Sequence, residues 1–213
     1  MAEVLNLLLV IVLLFNFLML GTSRVRAVID AAAAQGILLG VAYLTMHGAS
    51  GYRAIALGVA MIGIKGILIP RILRGALRSQ NIRREVEPFV SFTTSLLLGA
   101  LATGLSVIFA RTLPLAADDA NLLLIPASLA TQLTGFIVLT TRRKALTQVV
   151  GYLTLENGIF IFGLTLVEAM PFLVEAGVLL DVLVGVFVMG IVVDHISREF
   201  SSIDSDELTE LRE

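Results

Sequence analysis

Read for hydropathy alone, the chain is a succession of apolar runs separated by short polar breaks. Seven runs reach the length of about 20 residues that carries a helix across a bilayer core. They cover Val4–Leu20, Ala27–Met46, Ala54–Leu73, Phe89–Ala110, Leu122–Thr141, Leu146–Val167 and Phe172–Val193. The breaks are TSRVR, MHGASGYR, RGALRSQNIRREVEP, RTLPLAADDAN, TRRK and EAMP, and an acidic tail, HISREFSSIDSDELTELRE, follows the last run. The pattern predicts an all-α, polytopic membrane protein of about seven transmembrane helices.

Charge orients this bundle. Alternate breaks hold Arg24 and Arg26, then Arg71, Arg74, Arg78, Arg83 and Arg84, then Arg142, Arg143 and Lys144, then the tail with Arg198 and Arg212. The opposite breaks hold Arg53 and Arg111 beside Asp118, Asp119, Glu168 and Glu175. The positive-inside rule then places the N-terminus outside and the C-terminus on the cytoplasmic side. The first run starts MAEV and has its basic residues after it. It therefore reads as a retained helix and not as a signal peptide.

Composition sharpens the picture mainly by exclusion. The 213 residues are 57% hydrophobic and 15% charged. Soluble domains are about 25% charged. There is no Cys, and the two histidines, His47 and His195, are far apart. No metal-ligand spacing is available, and no metal or cofactor is expected. The arginines of residues 71–84 have no interleaved aromatics. That argues for lipid headgroups and against nucleic acid. Gly36 and Gly40, and likewise Gly58, Gly63 and Gly66, read as close helix packing. Pro126 reads as packing in preference to a kink, and Asn16 as a helix-to-helix hydrogen bond. Asp30 is placed at the interface, His47 in a loop, and Glu168 and Glu175 in water.

Three ionisable residues remain deep inside spans: Lys65, Glu156 and Asp181. Each is about 8–10 residues from the nearer helix boundary, or about 12–15 Å, near the bilayer midplane. Ionisable groups at that depth are costly and mark ion pathways by default. A simple Lys–acid pair joining helices is the competing reading. Two acids against one base leave a carboxyl over, which is the equipment of a proton relay. Asn157 and Thr154 on the sixth span, with Gln132 and Thr131 on the fifth, add polar atoms able to support water.

The blocks TRRKALTQVVGYLTLENGIFIFGL and PFLVEAGVLLDVLVGVFVMGI, the tail DSDELTELRE, and IKGILIP around Lys65 resemble the hydrogenase-4 component E family. The most specific elements are E-N-G in the sixth span, L-V-E-x-G-x-x-x-D leading into the seventh, and L-T-x-L in the tail. The resemblance implies a membrane-arm subunit of group 4 nickel–iron hydrogenase or formate hydrogenlyase-type complexes. Its partners would be antiporter-like and quinone-site subunits, with the peripheral hydrogenase subunits met by the tail. It also implies three regions: a four-helix part, 1–120; a three-helix part, 121–195, similar to chain 4L of respiratory complex I; and the tail, 196–213. By that similarity Glu156 and Asp181 match the two intramembrane carboxylates of the 4L subunit, although Asp181 stands where Glu is usual. Lys65 has no 4L counterpart. Two other readings stay open: a subunit of a monovalent cation/proton antiporter complex, and a passive membrane anchor.

Overall fold

The computed structural model describes residues 2–47, 52–79, 89–113 and 123–165. The seventh predicted span, with Asp181, and the tail, with His195, lie outside the described residues. Within them every element is helical: α1 (Ala2–Gly21), α2 (Val25–His47), α3 (Tyr52–Met61), a π-helical segment (Ile62–Leu68), α4 (Ile69–Ser79), α5 (Phe92–Thr112), α6 (Leu124–Thr141) and α7 (Ala145–Thr165). Residues on both sides of the π segment keep right-handed helical dihedrals, so α3, the π segment and α4 form one rod. Among the described residues six helices are long and apolar enough to cross a membrane, and the chain is a multi-pass membrane protein. Helices are what such a sequence must form, because hydrocarbon offers backbone N–H and C=O groups no partner except one another.

The helix ends are marked by local chemistry. Ser91 caps α5, its hydroxyl accepting from the Thr94 N–H at 3.1 Å, which satisfies one of the open donors of the first turn. Pro126, expected inside its span, sits in the first turn of α6, where a missing N–H breaks no intrahelical bond. The π segment follows from IKGILIP. Pro70 has no N–H to give, and its ring would clash with the carbonyl four residues back in a regular α-helix. A wider turn relieves this, and the Ile69 N–H donates five residues back, to the Ile64 carbonyl.

Four helices form the centre. α1 packs on α2 and α6, α7 packs on α2 and α6, the α3–α4 rod lies against α2, and α5 lies against α1 and α6. The tightest pair is α6–α7. A Cβ on Gly135 would meet the Leu155 backbone N, one on Gly151 would come within 2.6 Å of the Leu139 N, and one on Gly158 within 2.5 Å of the Gln132 N. Of the glycines expected to pack, Gly36, Gly40, Gly58 and Gly66 do, against Lys65, Ile62, Leu44 and Ile37. Gly63 does not: it faces open space on the outer side of the rod.

At one end, Arg142 is buried and donates from Nη2 to the Leu20 carbonyl at 2.9 Å. The bond satisfies an open carbonyl in the last turn of α1. The Arg142 guanidinium lies over Phe92, and that of Arg143 over Phe89, an arrangement in which the ring face attracts the cation. Arg74 of α4 pairs with Asp30 of α2 at 2.7 Å at this same end. The described members of the arginine-rich breaks therefore share one end of the bundle.

Candidate functional site

Two apolar clusters fill the interior, one toward each end. The first includes Leu9, Val12, Leu39, Met61, Ala127 and Ile161. The second includes Met19, Ile29, Leu73, Val150 and Leu153. Along every central helix a polar residue falls between them: Asn16 on α1, Gln35 on α2, Lys65 on the π segment, Thr131 on α6, and Glu156 with Asn157 on α7. All six are at most 6% exposed. They form a polar layer with an apolar cluster on each side.

Hydrogen bonds join Lys65, Asn157, Gln35, Asn16 and Thr131 into one chain. Lys65 Nζ donates to Asn157 Oδ1 at 3.1 Å. Asn157 Nδ2 donates to Gln35 Oε1 at 3.4 Å. Gln35 Nε2 donates to Asn16 Oδ1 at 2.8 Å and also to the Val12 carbonyl at 3.1 Å. Asn16 Nδ2 donates to Thr131 Oγ1 at 2.9 Å. Five elements are tied together by side chains distant in sequence, and every donor points away from the ammonium.

Lys65 is placed by its surroundings as much as by its partner. Its Cβ lies where a Cβ on Gly36 would come within 2.5 Å, so only glycine leaves room for the lysine stem on α2. Its ammonium is 5.8 Å from the centre of the Phe160 ring. At that range the ring quadrupole attracts the charge. A narrow cleft, with a cavity volume of about 10 Å³ and lined by Lys65 and Asn157 with Ile29, Ala33, Ile69 and Leu153, opens beside it. π-helical turns recur at functional sites because they re-aim a side chain without ending the helix.

Of the residues singled out from sequence, Lys65 and Asn157 are in direct contact, and Glu156 is buried beside Asn157 on α7. Asp181 lies outside the described residues. Gln132 is half-buried with its stem against Gly158, and its neighbour Thr131 is the member of α6 that closes the chain. Asn16 makes the helix-to-helix bonds expected of it. Sequence reasoning passed over Gln35, which the structure puts at the centre. Thr154 bonds the Val150 carbonyl of its own helix. Such a layer can hold a charge at mid-depth, orient it, and keep polar atoms along a lateral path.

No family model and no solved structure matches the chain. Hydrogenase-4 component E of Escherichia coli K12 is 28% identical over 150 residues, spanning 70% of this chain and 68% of that protein, and the Shigella flexneri protein of that name matches equally. This distant likeness supports the resemblance seen in the sequence. The uncharacterized protein Rv0085 of Mycobacterium tuberculosis is 33% identical over 205 residues, spanning 94% of this chain and 92% of its own. Likeness over nearly the full length of both chains shows common membership, and the chain belongs to the family of that mycobacterial protein.

Proposed function

We propose that the chain is a membrane subunit of a hydrogenase-type, energy-converting oxidoreductase and takes part in moving protons or sodium ions. The observation that carries the reading is the polar layer itself, with Glu156 and the Lys65–Asn157 contact between two apolar clusters. The likeness to hydrogenase-4 component E supplies the kind of complex. In this reading Glu156 exchanges protons, Lys65 supplies the countercharge, and Asp181 continues the path in the 4L-like region, 121–195. The N-terminus is outside and the tail inside, where it meets the peripheral subunits.

The test is proton translocation in sealed vesicles with assembly of the complex checked on the same sample. Glu156→Gln keeps shape and hydrogen bonding but removes the titrating group. The expected result is an assembled complex with translocation reduced at least about tenfold, an effect within the size that general acid–base groups contribute. Normal translocation by the assembled variant defeats the relay and favours the passive anchor, whose bonds only hold helices together.

A further inference from the structure

The direction of the amide chain assigns a role to a residue that the charges alone do not reveal. We propose that Gln35 is a positioning residue for Lys65, acting through Asn157, so that the ammonium is held at one place with one of its N–H groups engaged. This deepens the proposed function and rests on it for its meaning, although its test does not read ion movement.

An ammonium has three donors and no acceptor, so it needs an oxygen to face it. Asn157 can present either its oxygen or its NH2. The amide of Gln35 decides, because its oxygen accepts from Asn157 Nδ2 and so turns Asn157 Oδ1 toward Lys65. Gln35 in turn cannot flip. Its NH2 is held by two acceptors, Asn16 Oδ1 and the Val12 carbonyl, and a flip would set its oxygen against the Val12 carbonyl oxygen. The Gln35 NH2 requires the Asn16 oxygen and so turns Asn16 Nδ2 toward the Thr131 hydroxyl, which can accept it. Reversing one member forces all three amides to reverse, and the positive charge at the head polarises the series in the sense observed.

The amides do not themselves carry the proton. Passage through a carboxamide needs an imidic acid form, and all three would have to adopt it in turn. The chain therefore engages one N–H of Lys65 and, by fixing that bond, sets the aim of the whole ammonium. Lys65 is then a donor of fixed direction, not a swinging arm.

Only two lysines occur in the sequence, Lys65 and Lys144. A complex assembled with side-chain ¹⁵N-labelled lysine in this chain gives two ammonium resonances, and Lys144→Arg assigns them. Gln35→Met, similar in length and without hydrogen-bonding atoms of its kind, is expected to displace and broaden the Lys65 line while the Lys144 line is unchanged. Asn157→Leu should displace it further, and Asn157→Leu with Gln35→Met should match Asn157→Leu alone, because Gln35 acts only through Asn157. A Lys65 line that ignores Gln35→Met, or that moves again in the double variant, overturns the proposal. Should Gln35→Met fail to accumulate, Gln35→Leu takes its place, with a displaced Lys65 line expected and an unmoved line counting against the proposal. Because the resonance reports Lys65 directly, normal translocation by Glu156→Gln would remove the proposed function and leave this result standing.

Discussion

Helices α5 and α7 have 21 residues each and similar polarity, yet they use their polar side chains in opposite ways. In the middle of α5 two hydroxyls turn back on their own helix: Thr103 donates to the Gly99 carbonyl and Ser106 to the Ala102 carbonyl, at 2.8 and 2.7 Å. Only 22% of its span is buried, and Leu97, Leu101, Leu105 and Ile108 face outward. In α7, 61% of the span is buried, and Asn157 reaches two other elements. A hydroxyl can satisfy itself four residues back. A carboxamide or an ammonium cannot, and in hydrocarbon it has to bond across helices. The residue type, more than the overall polarity, decides which helix goes to the centre.

The sharpest way to break this contrast is at the glycines. Gly135→Val drives a side chain into the α7 backbone. Overpacking of that kind should cost about 3 kcal/mol or more, seen as loss of folded protein from membranes. Gly104→Val on α5 points into open space and should leave the yield unchanged. Next in size is Asn157→Leu, which removes the acceptor of the Lys65 Nζ bond and the donor to Gln35 Oε1 together. In mixed-micelle unfolding a cost of about 2 kcal/mol is expected, the size of leaving buried donors and acceptors unmade. Ser106 bonds only its own turn. For Ser106→Ala the expected cost is no more than about 0.5 kcal/mol, because no second helix loses a partner. A smaller effect still, per charge removed, belongs to the exposed Asp30–Arg74 pair. Arg74→Ala should cost less than about 0.5 kcal/mol, and the difference should shrink in high salt.

The spans were legible because twenty apolar residues in a row admit few alternatives. The observed helices in the described region start and stop within a few residues of the runs, except that the third continues from the expected Leu73 to Ser79, carrying Arg74 with it. Lys65 and Glu156 were legible because charge in such a run is rare. Gln35 was not, since in AAAAQG it looks like an ordinary helical residue, and only the meeting of α1, α2 and α7 gives it three partners. The α6–α7 contact was missed for a related reason: Gly135, Gly151 and Gly158 are widely spaced, and their fit depends on the angle between two helices. Arg142 was read as a topology signal alone, although it also closes the end of α1.

The π segment has a consequence for phase. Lys65 and Arg74 are nine positions apart, which in a regular α-helix would put them about 180° apart around the axis. Yet both address α2, one against Gly36 and the other at Asp30. A widened turn absorbs one extra residue, which brings the two directions to within about 80° of each other. The rod thus behaves like a shaft cut and rejoined with a twist, its two halves indexed to one neighbour. Deleting one residue between Lys65 and Arg74 would give a regular helix with the same indexing, but it would also press the Pro70 ring onto the carbonyl four residues back. The deletion should therefore be tolerated only together with Pro70→Ala, and the proline is what keeps the extra residue in place.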